Sequence, residues 1–243
     1  MMMHERMRQD AGSAILWDAA TLPQVDAAWF VPGYWRERGA LRVQAGGRGG
    51  VAVIESPVGE CVLRHYRRGG FFRTAMGDRY LWTGADRSRP FREFRLLTEI
   101  IRLGLPGPVA IAARFHRRGM FYRADLITRR IEGARTLAEC LAGGQLDHQL
   151  ADAVGGVIGR FHRAGIWHAD LNANNVLVSA DGPHLIDFDR GQKRKPAPDW
   201  QRSNLQRLRR SLLKLGAADR SEAVFEREIW QPLLHGHWRT LTS

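Results

Sequence analysis

The chain contains little cysteine and no long apolar run. Its two cysteines, Cys61 and Cys140, lie far apart in apolar contexts, so we expect two buried, reduced thiols rather than a disulfide framework. No run approaches the length of a transmembrane helix, and the polar residues 1–10 do not resemble the apolar core of a signal peptide. The sequence therefore predicts a chain that stays in the cytosol.

Lysine is also scarce. It occurs only at Lys193, Lys195 and Lys214, so arginine carries nearly all of the positive charge. The net charge of +12 at pH 7 indicates an anionic partner: nucleic acid, anionic lipid, or a phosphorylated sugar or lipid. Genomic base composition also raises arginine content, so the charge does not choose among these classes.

The most informative segment is the string H-A-D-L-N-A-N-N, residues 168–175, which has the spacing H-x-D-x-x-x-x-N. Phosphoryl transfer requires a carboxylate that accepts the proton of an attacking hydroxyl, together with an amide oxygen and a second carboxylate that hold Mg²⁺ against nucleotide phosphates. Asp170 and Asn175 supply the first carboxylate and the amide from one loop.

A second motif supplies the remaining carboxylate. Asp187 and Phe188 follow a short apolar run, and the runs 176–178 and 184–186 flank a turn at 180–183. This pattern predicts a hairpin that brings Asp187 beside the first motif. Together the motifs predict a kinase-like catalytic core, the alternative being two ordinary polar turns in an α+β domain.

A glycine-dense segment, 45–50, separates the β-type runs 41–44 and 51–54. Gly47, Gly49 and Gly50 lack the Cβ that would keep backbone N–H groups away from a polyphosphate. The segment is not a Walker motif, because no Lys-Ser or Lys-Thr follows it. A plain flexible turn is the alternative, but the position ahead of the catalytic motif favours a phosphate-covering hairpin.

The remaining pattern is mixed α and β, without internal repeats. A helix is predicted over 88–102, with Glu93 beside its apolar stripe and Gly104 at its end. Thr136 and Glu139 form a capping-box sequence. Strands are predicted at 61–66, 109–114 and 120–127, a long helix ends near 165, and further helices span 200–215 and about 221–234.

The order of these features resembles the protein-kinase-like fold. More narrowly, the strings at 63–70 (L-R-H-Y-R-R-G-G), 167–175 and 185–191 resemble the 3-deoxy-D-manno-octulosonic acid (Kdo) kinases of Gram-negative bacteria, which belong with the lipopolysaccharide-core sugar kinases. The similarity covers residues 29–215. It implies an α+β, two-lobed fold: a small antiparallel-sheet N-lobe (about 29–128), a hinge (129–135) and a mainly helical C-lobe (136–243).

The resemblance also implies roles for individual residues. Asp170 matches the catalytic base, and Asn175 and Asp187 match the metal ligands. His168 would brace the loop by hydrogen bonding rather than touch substrate. Asn172 stands where protein kinases carry a lysine near the transferred phosphate, so another group must stabilise the transition state.

The position of the phosphate-binding lysine of kinases is held by Arg64. We expect Arg64 to pair with phosphate and with Glu93, the alternative being a plain surface arginine on a strand. Ala169 replaces the arginine that reads activation-loop phosphate in many protein kinases, which argues against that regulation. The short tail after Asp187 indicates a non-protein acceptor.

A basic-aromatic run follows Arg64. Its arginines, Arg67, Arg68 and Arg73, would bind a sugar carboxylate or lipid phosphates while Phe71 and Phe72 rest at a membrane surface. A solvated hairpin with both phenylalanines in the N-lobe core explains the same residues.

The function that follows is ATP- and Mg²⁺-dependent phosphorylation of a sugar hydroxyl. The resemblance makes the acceptor the 4-hydroxyl of Kdo on a lipid A precursor, an anionic glycolipid, with the enzyme peripheral at the cytoplasmic side of the inner membrane. No nucleic acid and no obligate protein partner are expected. The alternatives are a kinase of another small molecule, a core heptose or a protein, and a catalytically inactive module that binds nucleic acid or anionic lipid. The intact Asp170, Asn175 and Asp187 argue against the inactive module.

Overall fold

The computed structural model describes residues 4–43, 51–67, 77–219 and 221–242. The chain divides into two compact units, one of residues 1–98 and 109–130 and the other of residues 99–108 and 131–243. Several predicted site residues lie outside the described residues: Gly47, Gly49, Gly50, Arg68 and Arg73.

The first unit holds an antiparallel sheet of eight strands among the described residues. The strands are β1 (Glu5–Asp10), β2 (Ser13–Asp18), β3 (Leu41–Val43), β4 (Val51–Ser56), β5 (Gly59–His65), β6 (Tyr80–Leu81), β7 (Ala110–Arg118) and β8 (Phe121–Arg129). Their order is β1–β2–β7–β8–β5–β4–β3, with β6 paired to β8. Strands β3, β4, β5, β7 and β8 confirm the expected ones, whereas hairpin β1–β2 was not predicted.

The aromatic residues near the start of the first unit belong to its core. A 3-10 turn (Ala27–Phe30) and helix α1 (Pro32–Arg36) bury Trp29, Phe30 and Trp35 in one cluster with residues of the sheet such as Ile54 and Ile127. These aromatic side chains therefore stabilise the fold through apolar burial.

Helix α2 (Arg89–Arg102) confirms the helix predicted over 88–102. Phe91, Phe94 and Leu97 form its buried stripe, but Ile100 is buried at the next turn while Ile101 is 40% exposed. The helix ends at Arg102, and Gly104, two residues later, has a φ of +66°, the left-handed conformation that glycine adopts without steric cost.

The second unit is mainly helical. Its elements are β9 (Arg135–Thr136), α3 (Leu137–Ala142), α4 (His148–Arg163), β10 (Ile166–Trp167), β11 (Val176–Ser179), β12 (Gly182–Leu185), β13 (Gln192–Lys193), α5 (Pro198–Lys214), α6 (Glu222–Phe225), a π-helical turn (Glu226–Trp230) and α7 (Gln231–Thr242). The capping box of Thr136 and Glu139 is present, and β11 pairs with β12 as the predicted hairpin. The last helix continues past residue 234 because Leu233 and His237, one turn apart, are both buried.

Both cysteines are free and buried, as predicted. Within the described ranges, no helix is long and apolar enough to cross a membrane.

Candidate active site

The candidate residues fall into two groups, one in each unit. In the second unit, His168 holds the loop that carries Asp170. Its Nε2 lies 2.8 Å from the carbonyl oxygen of Ile186, and its Nδ1 accepts a hydrogen bond of 3.1 Å from the Asp170 backbone N–H. This pattern fits a neutral imidazole with its proton on Nε2, and burial lowers the pKa of His168. The geometry agrees with the predicted bracing role.

Asp170 presents its carboxylate at the surface of the second unit, with 52% of the side chain exposed. Its Oδ1 lies 3.1 Å from Nη1 of Arg207. Among the described residues, no side chain or backbone donor is bonded to Oδ2. One carboxylate oxygen is therefore available to accept a proton.

Asn172 is directed back into its own loop. Its Nδ2 donates to the Asp170 carbonyl at 3.1 Å, and its Oδ1 accepts from the Asn174 backbone N–H at 2.9 Å, which caps the 3-10 turn Ala173–Asn175. Both ends of the amide are engaged, so Asn172 shapes the loop. A catalytic role for Asn172 stays a prediction.

Asn175 has an amide whose orientation is set by its contacts. Its Nδ2 donates to the Asp170 carbonyl at 2.9 Å, and because a carbonyl can only accept, Oδ1 is the amide atom that points away from that carbonyl. The Asn175 carbonyl in turn accepts from the Ile186 N–H at 3.0 Å, which places the start of the second motif beside the first.

Asp187 has a φ of +61°, a strained conformation that aspartate tolerates better than most residues. Phe188 anchors it, since its ring is fully buried and packs 5.6 Å from the Phe161 ring and 4.7 Å from the His168 ring, centroid to centroid. The hairpin and the buried ring together fix the position of the Asp187 backbone.

Helix α5 contacts the catalytic loop through three side chains. Asn204 Nδ2 donates to the His168 carbonyl at 2.9 Å, and Ser211 Oγ accepts from the Ala173 N–H at 3.1 Å. Arg207, which lies between Asn204 and Ser211 on the helix, contacts Asp170. These three residues were not identified from the sequence, although their spacing of three and four places them on one helix face.

In the first unit, Arg64 and Glu93 form an ion pair. Nη2 of Arg64 lies 2.6 Å from both carboxylate oxygens of Glu93, whose side chain is only 2% exposed. The Tyr66 hydroxyl also donates to Glu93, and the Arg64 guanidinium lies 4.6 Å from the Tyr66 ring centroid. The expected contact between Arg64 and Glu93 is present, and 22% of the Arg64 side chain is exposed.

Arg64 also pairs in register with Val51, the first residue of β4. Val51, the first described residue after the glycine segment, therefore lies beside Arg64 on the neighbouring strand. Arg67 follows β5 and is exposed. The phosphate and acceptor roles of these residues stay predictions.

His65 is the last residue of β5 and directly follows Arg64, so its side chain leaves the opposite face of the strand. Its ring nitrogens lie 2.7 Å from an Asp125 oxygen and 2.9 Å from an Asp78 oxygen. The hydrogen bond to Asp125 is the main cause of a raised pKa of His65. This group was not predicted, because its partners are distant in sequence.

Comparisons with known proteins find relatives that match most of the chain. Residues 33–233 match the model of the lipopolysaccharide kinase (Kdo/WaaP) family. The chain is 51% identical over 205 residues to the 3-deoxy-D-manno-octulosonic acid kinase of Xanthomonas axonopodis pv. citri (strain 306), covering 83% of this chain and 81% of that protein. It is 46% identical over 213 residues to the 3-deoxy-D-manno-octulosonic acid kinase of Xylella fastidiosa (strain M12), covering 87% and 85%.

A solved structure of WaaP in complex with acyl carrier protein matches with a TM-score of 0.51 and 21% identity, covering 84% of this chain and 82% of that one. This likeness confirms the predicted α+β, protein-kinase-like fold.

Proposed function

Because the chain belongs to the lipopolysaccharide kinase (Kdo/WaaP) family, we propose that it transfers the γ-phosphoryl group of ATP to a hydroxyl of a Kdo residue in lipopolysaccharide core biosynthesis. The enzyme is an ATP-dependent kinase. We further propose that the acceptor is the 4-hydroxyl of Kdo on a lipid A precursor.

The observation that carries the proposal is the geometry of the 168–175 loop. Asp170 is exposed, with Oδ1 held by Arg207, so Oδ2 would accept the proton of the acceptor hydroxyl as its oxygen attacks the γ-phosphorus. His168 and Asn175 fix the backbone on either side of Asp170. The base is therefore placed before substrate binds.

The residues present fit a magnesium site. The Oδ1 of Asn175 points away from the Asp170 carbonyl, and Asp187 is held beside the same loop by the Ile186–Asn175 hydrogen bond. Amide and carboxylate oxygens suit Mg²⁺, which takes one or two carboxylates and completes its shell with water and phosphate oxygens. The described residues contain no cluster of three or more His, Cys, Asp or Glu side chains that could hold a metal ion. When bound, Mg²⁺ neutralises charge on the nucleotide phosphates.

Arg64 is the proposed phosphate contact of the first unit. Its guanidinium contacts Glu93 and the Tyr66 ring, and 22% of the side chain is exposed. A guanidinium fixed in this way binds phosphate oxygens at low entropic cost.

The anionic acceptor suits the net charge of +12. We propose that the enzyme acts as a peripheral protein at the cytoplasmic side of the inner membrane, where basic residues such as the exposed Arg67 are attracted to anionic lipid headgroups.

The test is ATP turnover by the purified protein with a Kdo–lipid A precursor, a heptose acceptor and a generic protein substrate, with the product located by mass spectrometry. We expect phosphate on the Kdo 4-hydroxyl. Asp170→Asn is the control, since it keeps the shape but removes the base, and should lower turnover by about 10²–10⁴-fold while nucleotide binding persists. Faster turnover of another acceptor, or near-normal activity of Asp170→Asn, would refute the corresponding part of the proposal.

A further inference from the structure

The catalytic loop lacks a positive charge at a place where phosphoryl transfer requires one. In the transition state the negative charge of the transferred group is spread over its three equatorial oxygens, and fixed cations that stabilise this charge supply much of the catalysis. Asn172 is neutral, and both ends of its amide are bonded within the loop. His168 is buried and neutral, with a lowered pKa. Neither residue can act as the cation.

Arg207 brings a cation to this place from outside the loop. Its Nη1 lies 3.1 Å from Oδ1 of Asp170. An attacking hydroxyl must lie within about 3 Å of the base, and its oxygen within about 3–3.5 Å of the phosphorus. A guanidinium in contact with the base is therefore within one side-chain movement of the transferred group.

The position of Arg207 is fixed by its helix. Asn204 and Ser211, one turn before and one turn after it on α5, each bond to the catalytic loop. Arg207 itself is 48% exposed. Among the described residues, no other cationic side chain contacts Asp170. The backbone of Arg207 is anchored, and about half of its side chain remains exposed to an incoming anion while Nη1 pairs with Asp170.

We propose that Arg207 is a catalytic residue that replaces the missing loop lysine: it contacts the transferred phosphoryl group and stabilises its charge in the transition state. The inference rests on the proposed kinase function and adds a residue to it. Pairing with Asp170 holds the guanidinium in place until the phosphoryl group arrives. A purely structural ion pair at this exposure would contribute little to stability and nothing to transition-state affinity.

The test removes the positive charge at position 207 and restores one at position 172. Arg207→Ala should lower kcat by about 10²–10³-fold, with little change in either KM, and Arg207→Lys should retain more activity. In the double variant Asn172→Lys with Arg207→Ala, a lysine restores the cation from within the loop, and we expect recovery of about tenfold or more over Arg207→Ala. Arg210→Ala is the matched control, because Arg210 is an exposed arginine on the same helix with no bond to the loop among the described residues.

A second measurement needs no acceptor and no turnover. ADP with aluminium fluoride mimics the transferred group, and transition-state mimics bind more tightly than ground-state ligands. Arg207→Ala should lose this extra affinity while its affinity for ADP alone and its melting temperature stay close to wild type. If the alanine variant folds poorly, Arg207→Gln removes the charge while keeping most of the side chain.

Three results would overturn the inference. One is that Arg207→Ala raises the KM for the acceptor but leaves the affinity for ADP with aluminium fluoride unchanged, which would make Arg207 an acceptor-binding residue. The second is no recovery in the double variant. The third is equal affinity of the wild-type protein for ADP with and without aluminium fluoride. Failure of the Kdo assay alone would refute the proposed acceptor but not the role of Arg207, because the analogue measurement uses no acceptor.

Discussion

His168 joins the two motifs of the candidate active site. One ring nitrogen accepts from the Asp170 N–H, and the other lies against the carbonyl just before Asp187. Only the neutral ring can accept at one nitrogen and donate at the other, and burial favours that form. A single buried side chain therefore sets the relative position of the proposed base and the proposed metal ligand.

The first prediction at this scale concerns the metal ligands. Asp187→Asn and Asn175→Ala should each raise the Mg²⁺ concentration needed for half-maximal activity and weaken Mg²⁺-dependent nucleotide binding, because each removes an oxygen donor or its charge. Titration of turnover and of nucleotide binding against Mg²⁺ checks this. Asn174→Ala is the control, since the Asn174 side chain is exposed. Metal-independent activity in the wild-type enzyme would contradict the assignment.

The second prediction separates Arg64 from Arg67. Arg64→Ala removes the cation that pairs with the buried Glu93 carboxylate, so it should cost about 3 kcal/mol of stability and raise the KM for ATP. Arg64→Lys should restore more of the stability than of the activity, because lysine keeps the charge but not the geometry of the guanidinium. Arg67→Ala should leave the KM for ATP unchanged and raise the KM for the acceptor. The effect should be strongest at low salt, because exposed charges are screened at higher ionic strength.

Kinetics that vary ATP and acceptor separately decide the second prediction. Equal changes in both constants from both substitutions would show that the boundary between the two sites is wrongly drawn.

At the scale of elements, α4 and α7 pack closely because both present glycine at the contact. A Cβ on Gly155 would lie 1.9 Å from the Leu233 carbonyl oxygen, and one on Gly236 would lie 2.0 Å from the Asp152 carbonyl oxygen. Real Cβ atoms do not approach backbone oxygens so closely. The helices must separate if either glycine gains a side chain.

The third prediction follows from this contact. Gly155→Ala should destabilise the protein by about 1–3 kcal/mol through overpacking. Gly156→Ala is the matched control: its Cβ would lie 3.4 Å from the Thr240 Oγ1, so the better helix propensity of alanine should stabilise the protein by up to about 1 kcal/mol. Urea unfolding of both variants measures the difference. A neutral effect of Gly155→Ala would contradict the close packing.

The predicted elements show which signals a sequence carries. Helix α2 and hairpin β11–β12 were identified because apolar periodicity, a terminal glycine and turn residues are local features. Strand β1 was not, because nearly all its residues are exposed and backbone pairing with β2 holds it at the sheet edge. The proposed base and metal ligands came from a motif, whereas Arg207 is 37 residues from Asp170 and its contact depends on how α5 packs.

At the scale of the whole molecule, a buried histidine pair connects the C-terminal helix to the body of the second unit. Nδ1 of His162 on α4 lies 2.8 Å from Nε2 of His237 on α7, and both side chains are about 1% exposed. One ring must donate and the other accept, so at least one must be neutral. Burial lowers the pKa of His162 to about 3 and that of His237 to about 4.

The fourth prediction is a loss of stability in mild acid. Above pH 6.5 these histidines are neutral in both states. Below pH 6.5 these histidines are protonated in the unfolded chain but stay neutral in the folded protein. The free energy of unfolding therefore decreases as the pH is lowered, by up to about 1.4 kcal/mol per pH unit for each histidine, until the folded pKa values near 3 and 4 are reached. His168, whose pKa is also lowered by burial, adds to the same trend.

The other titratable groups with shifted pKa values affect stability in different pH ranges, which makes the fourth prediction specific. Glu99, whose pKa is lowered from 4.5 to about 2 by hydrogen bonds from Arg102 and Lys193, loses its contribution only below pH 4.5. His65, with a raised pKa, contributes stability that is fully present below pH 6.5 and is lost as pH rises through its folded value. A decline between pH 6.5 and 4.5 therefore reports the buried histidines.

Urea unfolding at several pH values between 4.5 and 7.5 measures this decline. The paired variant His162→Phe with His237→Leu should show a shallower slope in that range, because it has lost two of the groups that take up protons on unfolding. His148→Gln, at an exposed position at the start of α4, should keep the wild-type slope. Flat stability of the wild-type protein across this range, or an unchanged slope in the paired variant, would show that protonation of the pair does not limit the docking of the C-terminal helix.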